Sequence, residues 1–190
     1  MRLGVVVANL VSALRLVLTP FAGLAILDGR FGTALLVFIA AGSTDVIDGY
    51  LARRFGGVSR FGAYLDPISD KVFLSTVYVC LAFAGAAPWW LVAIVFGRDV
   101  LILFLAGAML VFTTIRSFTP SAWGKASTFV QIVTAVAVMV DRAAPAPWLG
   151  QAAVALIWLA AAVTTWSGLH YAWRSICVVR GHQPCGPCSD

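Results

Sequence analysis

The chain has 190 residues, of which 61% are hydrophobic and 11% charged, with a formal net charge of +5 and a mean hydropathy of +0.94. A water-soluble domain of this length has no use for so much apolar surface, so much of it must face lipid. The 13 cations are dispersed along the chain with no soluble domain to display them. That argues against a nucleic-acid partner and leaves topology and attraction to anionic headgroups as their meaning.

Six apolar runs are each long enough to cross a bilayer: Leu3–Leu27, Phe31–Arg54, Phe61–Ala87, Trp89–Thr113, Ala122–Val140 and Trp148–Val179. They are continuously apolar rather than alternating, which selects helices over barrel strands, and in lipid every backbone group needs an internal partner. The expectation is an all-α integral membrane protein of six transmembrane helices. Residues 1–180 form one membrane domain and residues 181–190 a polar, disordered tail.

The first run, "MRLGVVVANLVSALRLVLTPFAGLA", reads as a membrane helix rather than a signal peptide, because Arg15 interrupts its apolar core and no polar mature domain follows. Asn9 and Arg15 either reach the phosphates of a substrate or satisfy polar groups inside the bundle. The second and third runs carry four aspartates between Asp45 and Asp70, half of the chain's eight acidic residues. In the fourth, Arg98 and Asp99 either neutralise each other or present Arg98 to a second substrate. Arg116 and Lys125 bracket the connection to the fifth run. Trp89, Trp90, Trp123 and Trp148 sit at helix ends, as an interfacial aromatic belt requires. The tail offers His182, Cys185 and Cys188, an incomplete zinc set better read as free thiols on a polar terminus.

Basic residues orient the bundle. Arg2, the Arg53–Arg54–Arg60 group, Arg116 with Lys125, and Arg174 with Arg180 fall at alternate helix ends. The opposite connections hold only Arg30 and Arg142, beside Asp28 and Asp141. Both termini are therefore expected on the cytoplasmic side.

An ionisable group inside a membrane helix is costly and marks function by default. At 100° per residue, Asp45, Asp48, Gly49, Ala52 and Arg53 fall within an arc of roughly 140° on the second helix. Gly62, Asp66 and Asp70 recur at four-residue steps near the start of the third. The connection "RFGGVSR" is short, so the two helices are antiparallel neighbours whose acidic faces meet just below the cytoplasmic surface. Converging carboxylates repel one another unless a cation sits between them. Oxygen-only ligands favour Mg²⁺ or Mn²⁺ over Zn²⁺. Two such ions form a clamp for displacement at phosphorus. Gly49, Gly62 and Ala52 leave room for a bulky phosphate, and Arg53 supplies a fixed cation for its oxygens. Lys71 either balances the carboxylates, the favoured reading, or reaches for the headgroups. The substrate is thus expected to be a phosphoanhydride or phosphodiester.

The stretch "DVIDGYLARRFGGVSRFGAYLDPISD" resembles the CDP-alcohol phosphatidyltransferase signature, D-x₂-D-G-x₂-A-R-x₈-G-x₃-D-x₃-D, at every fixed position: Asp45, Asp48, Gly49, Ala52, Arg53, Gly62, Asp66 and Asp70. The six-run pattern extends the resemblance over essentially the whole chain. It implies that Asp45, Asp48 and Asp66 hold two Mg²⁺ or Mn²⁺ ions, and that Asp70 is the general base with a share in the metal site. Gly49, Ala52, Arg53 and Gly62 would line the CDP pocket. The family transfers the phosphatidyl group of CDP-diacylglycerol, or a related CDP-linked donor, to an alcohol and releases CMP. Its members are commonly homodimers, and here a bacterial inner membrane with a cytoplasm-facing site is expected.

The stretches "RFGAYLDPISDKV", "GRDV", "SAWGKASTFVQ" and "SGLHYAWR" look like the branch that makes phosphatidylglycerol phosphate and cardiolipin. Acceptors in that branch carry their own phosphate, so further cations are needed beside an anionic donor. Arg98, Arg116 and Lys125 are the candidates. Glycerol 3-phosphate is the expected acceptor, with phosphatidylglycerol the alternative toward which "GRD" pulls. A cation transporter is the rival of another class. It would place its key groups in paired halves near the midplane, whereas all four carboxylates here occupy one hairpin.

Overall fold

The computed structural model describes the backbone over residues 2–55, 62–112 and 122–179, and side chains over residues 14–43, 69–105 and 123–173. The described residues form six helices and no strand: α1 (Arg2–Leu27), α2 (Phe31–Phe55), α3 (Gly62–Phe83), α4 (Trp89–Phe112), α5 (Ala122–Ala143) and α6 (Pro147–Val179). All six start within a residue of the apolar runs, and four of them, α1, α2, α4 and α6, also end within one. The differences have local causes. The third apolar run continues through Ala87, but α3 stops at Phe83, because Gly85 adopts a left-handed φ of 66°. Its neighbour Ala86 then donates its N–H back to Leu81 O at 2.8 Å, which caps the helix. The turn after α1 is built the same way, on Gly29 at φ 74°, with Arg30 N–H donating to Ala25 O at 2.8 Å. At its far end α5 runs three residues beyond Val140, to Ala143. Arg142 at that end donates to Gly85 O at 2.8 Å and so ties the α3–α4 turn to α5.

α1 lies along both α2 and α3, while α6 lies along α5 and α4. The two groups meet where α2 touches α5 and where α3 touches α4. Small residues let the backbones approach: Ala22, Ala34, Ala41, Ala135, Ala160 and Ala161 are all buried. A Cβ on Gly23 of α1 would stand 3.1 Å from Cys80 Sγ of α3, so only glycine fits that crossing without a shift.

Polar side chains inside the bundle bond across helices, as they must where water is excluded. Tyr78 Oη of α3 donates to Gln131 O of α5 at 2.8 Å. Gln131 Nε2 donates to Thr164 Oγ1 of α6 at 3.0 Å and to Ser127 Oγ at 3.3 Å. Outside, the bundle is apolar: Leu36 is 70% exposed and Phe104 72%. A water-facing surface does not carry such residues in number. Among the described residues, two helical segments, Trp123–Ala143 and Pro147–Trp173, are clearly long and apolar enough to cross a membrane.

Candidate active site

Five of the eight signature positions fall on the second half of α2: Asp45, Asp48, Gly49, Ala52 and Arg53. Gly62 opens α3, and Asp66 and Asp70 follow within its first nine residues. The side chains of all but Asp70 lie outside the described residues, as does the connection 56–61. The backbone still fixes how these positions relate. Phe38 of α2 stacks on Phe73 of α3 with ring centroids 5.3 Å apart. A step of seven residues is about two helical turns, some 10 Å, and returns to the same face within roughly 20°. Seven residues from Phe38 lies Asp45, and seven residues back from Phe73 lies Asp66. Both positions thus lie about two turns along their helices from the Phe38–Phe73 contact, and the described residues pack α2 and α3 each along α1. Four aspartates with no His or Cys among the signature positions are a donor set that would suit Mg²⁺ or Mn²⁺.

Asp70 is the one signature carboxylate whose surroundings are described. It forms an ion pair with Arg15 of α1, and its side chain is 47% exposed while that of Arg15 is 6% exposed. Asp70 thus keeps an open flank on the hairpin, with a buried guanidinium holding its other side. Of the two readings open for Arg15, the structure shows a partner inside the bundle, and that partner belongs to the signature.

Lys71 was expected to balance the aspartates of the hairpin. The structure corrects this: Lys71 Nζ pairs with Asp99 of α4. The cause is helical geometry, since adjacent residues on a helix project about 100° apart. When Asp70 turns toward α1, Lys71 turns toward α4. Asp99 Oδ1 also accepts from Arg98 Nη1 at 2.7 Å, so one carboxylate serves two cations. Arg98 is buried. Its Nη2 reaches Ser167 Oγ of α6 at 3.3 Å and Gly124 O of α5 at 3.5 Å. Gly168 of α6 packs beside it, where a Cβ would meet the arginine stem at an ordinary contact distance of 3.6 Å. The network therefore joins α3, α4, α5 and α6 at one level.

This network forms one end of a cavity of about 1010 Å³ between α3, α4 and α5. Lys71, Arg98, Asp99 and Lys125 all line it, with Tyr171 of α6. Of the residues named for a second substrate, the structure therefore brings Arg98 and Lys125 together, beside the lysine that follows Asp70. Arg116 lies outside the described residues, as do His182, Cys185 and Cys188 of the tail. Sequence reasoning missed the Arg15–Asp70 pair and the double duty of Asp99. A signal existed for both, because a charge in an apolar helix needs a countercharge. Ser167 gave none, being an ordinary small residue on an apolar helix.

The family model described as CDP-alcohol phosphatidyltransferase matches residues 5–166. A Mycobacterium tuberculosis protein named "Probable phosphatidylglycerophosphate synthase" is 33% identical over 176 residues, covering 89% of this chain and 81% of the relative. An Escherichia coli K12 protein named "CDP-diacylglycerol--glycerol-3-phosphate 3-phosphatidyltransferase" is 38% identical over 141 residues, 73% of this chain and 75% of the relative. A Rattus norvegicus protein named "Cardiolipin synthase (CMP-forming)" is 31% identical over 199 residues, covering 92% of this chain and 64% of the relative. The matches are to transferases and give cation transport no support. The chain belongs to the CDP-alcohol phosphatidyltransferase family.

Proposed function

We propose that the chain transfers the phosphatidyl group of CDP-diacylglycerol to glycerol 3-phosphate, making phosphatidylglycerol phosphate and releasing CMP. The observation that carries this reading is the cavity that sets Arg98 and Lys125 beside Lys71, the residue next to Asp70. An acceptor with its own phosphate needs cations there, apart from those at the donor. The names of the M. tuberculosis and E. coli relatives favour glycerol 3-phosphate. The rat relative favours phosphatidylglycerol as acceptor instead, a second reading that the same cations would serve.

In this reading six helices span the bilayer, with both termini and the active site at the cytoplasmic surface, and the enzyme works as a homodimer. Asp45, Asp48, Asp66 and Asp70 hold two divalent ions, which when bound neutralise the pyrophosphate of the donor and stabilise CMP as it leaves. Gly49, Ala52 and Gly62 let the CDP moiety approach the helices, and Arg53 binds its phosphate oxygens. Asp70 takes the proton from the acceptor hydroxyl as that oxygen attacks the β-phosphorus. One phosphorus–oxygen ester bond forms, the bond to CMP breaks, and the proton ends on Asp70. Arg98, Arg116 and Lys125 hold the phosphate of the acceptor so that its hydroxyl faces the donor. Lys71 is kept by Asp99 on the acceptor side of the hairpin.

The acceptor is tested by giving purified enzyme CDP-diacylglycerol and Mg²⁺ with either glycerol 3-phosphate or phosphatidylglycerol and identifying the lipid formed. Phosphatidylglycerol phosphate is expected; cardiolipin as the sole product would reverse the assignment. Within the same reaction, Lys125→Ala should raise KM for glycerol 3-phosphate while leaving donor affinity nearly unchanged. Equal loss of both would mean that Lys125 only shapes the bundle.

Metal dependence gives an independent prediction. Excess chelator should abolish transfer, and Mg²⁺ or Mn²⁺ should restore it. Asn substitution of Asp45, Asp48 or Asp66 should remove activity that added metal does not recover. Full turnover in excess chelator would overturn the two-ion account.

A further inference from the structure

The cavity is far larger than a glycerol phosphate requires, and most of its wall is apolar. Its charged groups lie at one level, fixed by the Lys71–Asp99 pair and by the reach of Arg98 to Gly124. Along α3 and α5 the lining runs from there away from the aspartate hairpin, Val79 being eight residues beyond Lys71 and Ile132 seven beyond Lys125. On α4 it runs from Phe96 to Leu103, either side of Asp99. At 1.5 Å per residue the α3 and α5 stretches are each roughly 10–12 Å of apolar helix. The side walls carry Val100 of α4, 54% exposed, and Phe129 of α5, 67% exposed. A soluble acceptor uses none of this surface.

The charges say what kind of molecule does. Among the described residues Lys71, Arg98 and Lys125 line the cavity against a single carboxylate, Asp99, an excess of two positive charges. Arg98 is buried and its Nε has no hydrogen-bond partner. Lys125 is exposed, and among the described residues it makes no ion pair. A cationic end opening into an apolar trough matches an anionic phospholipid, phosphate at the cations and acyl chain along the trough.

We propose that this groove holds one anionic phospholipid of the surrounding bilayer, and that its phosphate competes with the acceptor's at Lys125 and Arg98. The inference rests on those two residues serving the acceptor phosphate, as proposed above. Its consequence is regulatory. A membrane already rich in anionic lipid would slow its own further supply, through a higher KM for glycerol 3-phosphate at unchanged kcat.

The test uses the full chain in phosphatidylcholine nanodiscs, with and without phosphatidylglycerol. Two variants narrow the groove from opposite walls, Ile132→Trp on α5 and Val100→Trp on α4. Both positions face outward, so the fold tolerates the larger ring, and melting temperature checks this for each. By native mass spectrometry, the wild type should retain phosphatidylglycerol in preference to phosphatidylcholine, and both variants should lose that preference. When phosphatidylglycerol stands at about twice its Kd, KM for glycerol 3-phosphate should rise about threefold in the wild type. It should stay within error in the variants. Equal retention of the two lipids, or retention unaffected by either tryptophan, overturns the proposal. So does loss of a dimer on narrowing the groove with no change in lipid retention, because a second copy would then be the occupant. Conversion of the retained phosphatidylglycerol to cardiolipin with no use of glycerol 3-phosphate would overturn the proposed acceptor while leaving the groove's lipid preference standing, so the two failures are told apart.

Discussion

Asp70→Asn is expected to reduce phosphatidyl transfer by about 10²–10⁴-fold, the range a positioned general base contributes. The substitution removes the proton acceptor, together with the charge that Asp70 offers to Arg15 and to the proposed metal site, at almost unchanged shape. Asparagine has the same shape, and its Oδ1 can still accept from the Arg15 guanidinium that pairs with Asp70 in the structure. The open flank of Asp70 is where an acceptor hydroxyl would approach, so the loss should fall on kcat rather than on donor binding. Measured side by side, turnover should collapse while binding of CDP-diacylglycerol in the presence of Mg²⁺ persists. Near-normal turnover would take the base role away from Asp70. Loss of donor binding as large as the loss of turnover would make its share in the metal site the dominant one. A melting curve separates either result from damage to α1, because Arg15 is buried and depends in part on this carboxylate.

The fold was legible in the sequence wherever one physical demand acted alone. The need of each span for some twenty apolar residues set the extents of α1, α2 and α6 almost to the residue. It misled at α3, where "FAGAAP" stays apolar although Gly85 has already turned the chain. Backbone conformation and hydropathy are separate signals there, and the glycine outranks the alanines. The signature was readable because its spacing is local, two successive apolar runs and fixed four-residue steps, and of its carboxylates the described side chains include Asp70 alone. Partner choice was not, because it depends on which helices become neighbours. Lys71 and Asp70 are adjacent in sequence yet serve opposite sides of α3, one toward α4 and the other toward α1. The divergence follows from a 100° step, but its targets follow only from the packing of α3 between α1 and α4. Arg98 shows the same limit. Its pairing with Asp99 was readable, whereas Ser167 and Gly124 join it only because α6 and α5 close over α4.

Asp99→Ala is expected to cost about 3–5 kcal/mol of stability, as removal of one partner from a buried ion pair does. The Asp99 side chain is 12% exposed and that of Arg98 is 6% exposed, so neither charge is relieved by water. Losing the carboxylate leaves Arg98 facing Lys71 with no anion between them. Lys71 has an escape, since its side chain is 39% exposed and can swing its ammonium outward along the cavity. Arg98 has none, held as it is by Ser167 and the Gly124 carbonyl. The melting temperature in detergent should therefore fall by about 6 °C or more, at some 2 °C per kcal/mol for a chain of this size. Arg98→Leu with Asp99→Leu makes the complementary case. It exchanges the pair for apolar side chains, which is often neutral for stability, so the double variant should melt above the Asp99→Ala single variant. Yet it should use glycerol 3-phosphate poorly, because the acceptor's cation is gone. A stable double variant with impaired acceptor use would show that the pair is kept for binding, with stability the lesser reason. If Asp99→Ala melts with the wild type, the carboxylate is not what balances these cations, and the shared-anion description of the network fails.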